Sequence, residues 1–315
     1  MHGPGGRYNT AMKQTLSGLI AAVFTPMRED TTVDLSKVPA VVEHLLRTGV
    51  CGMYVCGSTG EGPSLSSDER RAVAQAYVEA AAGRLPAIVQ VGHDSVAEAC
   101  DLAAHAKDIG AQAVSAMPPR YYGFSGADSL IDCLARIASA ADLPFYYYHI
   151  PILSGVSLDV IDFLRRAADR IPNFAGLKYT ACGLDEYQGC LELAEGRFDV
   201  LFGHDEMLIA ALAAGGVGAV GSTYNFAAPL YLRLWEAFDR GDLVEARRQQ
   251  SLSQRMIRTM CRYRGQPAFK AAMRLIGVDC GPNRLPMKTL SGHELDELES
   301  ELRGIGFFDW ALSEE

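Results

Sequence analysis

Eight short apolar or β-rich runs recur along the chain, at residues 18–26, 52–57, 87–92, 113–119, 145–151, 174–180, 198–205 and 219–225. Their starts lie between 21 and 35 residues apart, with helix-like segments in each gap. Such spacing predicts parallel strands joined by crossover helices, since a parallel pair cannot be linked by a tight hairpin. Runs such as AIVQV and FYYYHI are apolar without strict alternation, the pattern of strands covered on both faces. Ser66 to Glu69 and Ser95 to Glu98 both fit the S-x-x-E helix start, and Gly49, Gly83, Gly110 and Gly215 stand where helices should stop. Eight such units fit a closed parallel (β/α)8 TIM barrel over residues 1–240, with an open doubly wound sheet as the competing arrangement. After Gly241 the pattern is helical only, over roughly 242–262, 266–277 and 293–303, which predicts a C-terminal helical extension (241–315) packed on the barrel.

Composition narrows the function classes. The 315 residues are 49% apolar and 21% charged, a globular balance, and the net charge of −9 argues against nucleic acid or an anionic membrane as partner. Residues 1–16, rich in Gly and polar side chains, read as a flexible segment without the apolar core of a signal peptide. No apolar run is long enough to span a membrane. The eight cysteines include no C-x-x-C pair, which fits reduced thiols and a cytoplasmic protein.

In a barrel of this kind chemistry collects at the C-terminal strand ends. The second run ends in Gly57-Ser58-Thr59-Gly60-Glu61-Gly62, where hydroxyls and unencumbered N–H groups can hold a carboxylate. Equally, this is the composition of a Gly-rich turn before a capped helix. The sixth ends in Gly176-Leu177-Lys178-Tyr179-Thr180. A lysine inside an apolar strand either snorkels to the barrel mouth or stays dry, and desolvation favours the neutral amine that attacks carbonyls. In the fifth run, alternation sends Tyr146 and Tyr148 to one face and Tyr147 to the other. A tyrosine beside Lys178 would serve as proton donor and acceptor.

The series GSTGEG, PPRYYGFS, YYYHIPILSG, GLKYT, FGHDE and VGSTYN resembles, piece by piece and in order, the dihydrodipicolinate synthase and N-acetylneuraminate lyase superfamily. The likeness runs from about Gly18 to at least Asn225. It implies a Schiff-base enzyme with Lys178 as the covalent lysine, Tyr148 as the proton shuttle, and Ser58 and Thr59 as the pair that binds the oxo acid's carboxylate. It also implies that Tyr121 or Tyr122 is lent across a subunit interface, in an oligomer that is usually a tetramer. No cofactor or metal is expected beyond the covalent Schiff base.

Within the superfamily the synthases carry an arginine shortly after the fifth-strand proline. Here Pro151-Ile152-Leu153-Ser154 has none, and the stretch resembles the sialic acid lyases, vertebrate-type members in particular. Thr180, Gly203, Asp205, Glu206 and Ser222 match residues which that branch uses for the sugar's hydroxyls. The implied reaction is reversible cleavage of N-acetylneuraminate to pyruvate and N-acetylmannosamine. A related sugar-acid aldolase or dehydratase, dihydrodipicolinate synthase, and a sugar-acid-binding barrel without turnover stand as alternatives. His204 and Arg120 depart from the family pattern.

Two further signals point elsewhere. Residues 216–221 spell G-x-G-x-x-G, but with a helix before and a strand after, the reverse of a dinucleotide site. Gly92-His93-Asp94 and Gly203-His204-Asp205 each end a strand, on units that would face each other across a barrel, too far apart for one metal.

Overall fold

A computed structural model describes residues 16–312. The flexible segment expected over 1–16 lies, but for its last residue, outside the described residues. Eight strands, β1 (Gly18–Ala22), β2 (Gly52–Val55), β3 (Ala87–Gln90), β4 (Ala113–Ala116), β5 (Phe145–His149), β6 (Phe174–Tyr179), β7 (Asp199–Phe202) and β8 (Gly218–Gly221), pair in parallel and in sequence order. β8 returns to pair with β1, so the sheet is a closed barrel, not an open one.

Around the barrel run α1 (Val38–Arg47), α2 (Ser67–Ala81), α3 (Val96–Asp108), α4 (Ala127–Ser139), the short α5 (Pro151–Ser154), α6 (Val160–Arg170), α7 (Leu184–Ala194), α8 (Leu208–Ala213) and α9 (Tyr224–Asp239). Local chemistry explains their bounds. α1 buries Val38, Val41, Val42 and Leu45, one stripe at helical spacing. α2 starts in a reciprocal capping box between Ser66 and Glu69, and the four predicted stop glycines all take positive φ, between 76° and 96°. Beyond them lie α10 (Leu243–Arg262), α11 (Gln266–Leu275), α12 (Gly292–Gly304) and α13 (Phe307–Trp310). Phe226 of α9 meets Phe269 of α11 and Phe307 of α13, which ties these helices to the barrel wall.

Strand alternation sorts the core into two layers. Ile20, Tyr54, Ile88, Tyr146, Tyr148 and Leu201 fill the barrel, while Met53, Val55, Phe145, Tyr147 and Leu177 face the helices. Tyr147 packs at a tilt on Phe163 of α6, as the expected division of the three tyrosines requires.

The strands are shorter than the apolar runs. The run 219–225 is strand only to Gly221, and Tyr224 already begins α9. Likewise β7 stops at Phe202, and Asp205 opens a 3-10 turn, Asp205–Met207. Past these two strand ends Asp205, Thr223 and Tyr224 stay buried.

Candidate active site

Lys178 sits in β6 directly across from Tyr148 in β5, its register partner. The flanking Leu177 and Tyr179 pack against helices, so Lys178 points into the barrel. Gly176, two residues before, has φ +152°, and a Cβ there would meet the Asp199 carbonyl at 1.9 Å; only glycine lets β6 lie this close to β7. Lys178 is 5% exposed. Its Nζ lies 4.1 Å from the centre of the Tyr148 ring and 4.7 Å from that of Tyr54, and among the described residues no carboxylate forms an ion pair with it. A primary amine is thereby buried against the faces of two aromatic rings.

The two rings meet edge to face at 5.6 Å. The Tyr148 hydroxyl is 3.5 Å from Ser58 Oγ, and the Tyr54 hydroxyl donates to Ser115 Oγ at 3.0 Å. Thr59 Oγ1 lies 2.6 Å from Ser222 Oγ, joining the loop after β2 to the end of β8. Ser58, Thr59, Ser222, Tyr148 and Lys178 thus belong to one continuous polar rim above the apolar barrel interior.

The remaining predicted residues take distinct places. Thr180 N donates to His149 O at 2.8 Å, while its hydroxyl is buried without a protein partner, against Gly203. A buried hydroxyl in that state has hydrogen-bonding capacity left for a ligand. Asp205 is buried, and its carboxylate accepts from Thr223 N at 2.8 Å and Thr223 Oγ1 at 2.6 Å. Burial pushes its pKa up to about 6. One oxygen of Asp205 therefore braces the turn after β7 to the start of α9. Glu206 lies at the rim beside His204, 3.6 Å from Nδ1, and the imidazole contact holds its carboxyl below the usual range. Tyr121 and Tyr122, 83% and 81% exposed, stack edge to face on the loop after β4, with no bond to the lysine or Tyr148 of their own chain.

Sequence reasoning passed over Tyr54 and Ser115, because a tyrosine and a serine within apolar runs look like filler. Their inward register on β2 and β4 was the available signal. His93 Nδ1 accepts from Ser95 N and Asp94 from Arg120 N, both local contacts of the rim. Among the described residues no three His, Cys, Asp or Glu side chains gather as a metal set. The G-x-G-x-x-G stretch runs from the turn after α8 into β8, in the reversed order noted above.

Fold and rim together define a (β/α)8 barrel with an enclosed lysine at the strand C-termini, the end at which barrels of this class carry their sites. The profile of the Dihydrodipicolinate synthetase family matches residues 15–305, and the chain belongs to that family. It is 39% identical to the N-acetylneuraminate lyase of Pongo abelii over 304 residues, 95% of each chain, and 38% identical to that of Homo sapiens over the same length. Among solved structures, the Proteus mirabilis N-acetylneuraminate lyase superposes with a TM-score of 0.91 at 39% identity, covering 93% of this chain and 100% of the other. A Ruminococcus gnavus sialic acid aldolase, described as a catalytic lysine mutant, superposes at 0.88 with 26% identity, covering 94% and 98%.

Proposed function

We propose that this protein is a class I aldolase that cleaves N-acetylneuraminate reversibly to pyruvate and N-acetylmannosamine through a Schiff base on Lys178. The observation that carries it is the enclosed, unpaired Lys178 amine with the Tyr148 ring 4.1 Å away. Near-complete matches to lyases of that name, from vertebrates and bacteria, support the substrate. So does the loop after Pro151, where exposed Ile152 and Leu153 leave no cation to grip a second substrate's carboxylate.

Ser58 and Thr59 hold the carboxylate of the open-chain sugar acid, so that C2 faces Lys178. The amine adds to C2, water leaves, and the resulting iminium becomes the electron sink. Tyr148, ionised at this step, takes the proton of the C4 hydroxyl as the C3–C4 bond breaks. Its electrons pass into the enamine of pyruvate, and the C4 oxygen becomes the aldehyde of N-acetylmannosamine. The Tyr148 proton then goes to C3, and water hydrolyses the new iminium to release pyruvate and restore the amine. No external cofactor enters this cycle. Thr180, Gly203, Asp205, Glu206 and Ser222 line the side that takes the hydroxylated chain. Tyr121 or Tyr122 reaches into the site of a neighbouring subunit of a homotetramer, which accounts for two tyrosines left in solvent on a single chain. Among the described residues no helix is long and apolar enough to cross a membrane, and a cytoplasmic enzyme is the accompanying reading.

The test is pyruvate release from N-acetylneuraminate by the wild type and by Lys178→Ala, with borohydride trapping of pyruvate in parallel. Release and trapping, both lost in the variant, support the proposal. Trapping without release would sink the sialic acid reading while keeping the Schiff base.

A further inference from the structure

The loop 57–62 that carries Ser58 and Thr59 has an unusual backbone. Cys56 and Glu61 both take left-handed φ, 59° and 56°, and neither is glycine. What holds it is the chain more than 200 residues later. Glu61 is fully enclosed and accepts from Lys270 Nζ at 2.8 Å, Asn283 Nδ2 at 3.2 Å and the Arg284 backbone N–H at 2.8 Å. Lys270, equally enclosed, donates also to Pro282 O at 2.7 Å. Gln266 Nε2 donates to the carbonyl of Thr59 itself, at 2.7 Å. The Arg284 guanidinium then grips Glu69, in the helix that follows the loop, at 2.7 and 2.8 Å.

A buried ion pair is a poor source of net stability, because desolvation cancels much of the attraction. With its hydrogen bonds made on both sides, it specifies one arrangement of the segments it joins. We infer that Gln266 and Lys270 are positioning residues: through Thr59 and Glu61 they set the Ser58–Thr59 hydroxyls where the oxo acid's carboxylate binds. The C-terminal helices would then act on substrate affinity without touching substrate. This rests on the function proposed above.

Carboxylate dependence separates this role from a merely structural one. Gln266→Met removes the one amide donor on Thr59 and keeps the side-chain bulk. Borohydride trapping is measured against increasing pyruvate and, in parallel, against pyruvamide, which offers the same ketone without the carboxylate. The expected result is a rise in half-saturating pyruvate of roughly three- to tenfold, the worth of one hydrogen bond, with pyruvamide labelling and the melting temperature unchanged. The pair Glu61→Gln with Lys270→Met, which removes both buried charges together, should shift pyruvate in the same direction. Equal loss with both ketones, or no change with either, overturns the inference. Failure of the wild type to trap pyruvate would strike the proposed function itself, and the inference would fall with it.

Discussion

Lys178 Nζ and the Tyr148 ring are register partners' side chains, stacked 4.1 Å apart across the β5–β6 pair. The lysine meets the face of that ring, while the hydroxyl extends beyond it to Ser58. The covalent and proton-transfer roles proposed for the two residues can therefore be separated experimentally. In Tyr148→Phe the ring and its packing on Tyr54 remain and only the oxygen is lost. We expect pyruvate still to be trapped by borohydride, with carbon–carbon cleavage down by about 10²–10⁴-fold, the usual worth of a positioned acid–base group. Retention of cleavage in this variant would remove Tyr148 from the proton path.

Asp205 makes a prediction about pH. Burial raises its pKa from 3.8 to about 6, so between those values the folded chain keeps a proton that the unfolded chain has released. Its contribution to stability is thus complete below pH 4 and is lost as the pH rises through 6. Two units correspond to about 3 kcal/mol at most. Thermal melts of the wild type and Asp205→Asn from pH 4 to 7 should show the wild type's relative stability falling by an amount of this order. Parallel curves would mean that Asp205 titrates normally.

Gly203 admits no side chain while Thr180 keeps its place. A Cβ there would lie 2.0 Å from Thr180 Oγ1 and 3.0 Å from Thr180 Cβ. Gly203→Ala should destabilise by about 1–3 kcal/mol, as overpacking does, and should weaken binding of the sugar acid by displacing Thr180. Adding Thr180→Ala removes the closest atom, so the double variant should be more stable than Gly203→Ala alone. Simple additivity of the two losses would refute the contact.

Thiol labelling offers a direct check on the rim. Cys182, two residues past Thr180, is exposed. Cys51 tucks its sulfur against the Ser17 and Leu19 carbonyls, and burial pushes its pKa up to about 11; burial raises Cys261 as well. The thiolate is the reactive form. Iodoacetamide at pH 8 should therefore modify Cys182 first, as read by peptide mass mapping, and the buried Cys56, Cys190 and Cys280 last. Prior labelling at Cys51 would contradict this order.

Much of the site was legible because its parts are local. Gly57 to Gly62 and Gly176 to Thr180 each place polar groups at the end of an apolar strand, and in the fifth run period-two alternation separates Tyr148 from Tyr147. Tyr54 was not legible, since an inward tyrosine in GMYV looks the same whether it lies against Lys178 or against leucines. The bonds of Asp205 to Thr223 were not legible either, since they depend on how the turn after β7 meets the start of α9.

By itself the sequence determined eight parallel strands with their crossover helices, the opposed faces of Tyr147 and its two tyrosine neighbours, and an unusual lysine in one strand. Those follow from short-range periodicity and from the cost of burying charge. Only the tertiary structure decided that β8 closes onto β1, that Thr59 meets Ser222 across 163 residues, and that Glu61 meets Lys270 across 209. The run 219–225 likewise gave way to a helix at Tyr224 once the barrel was complete. An apolar pattern records that a face will be covered; which distant segment covers it is set by the packing of the whole chain.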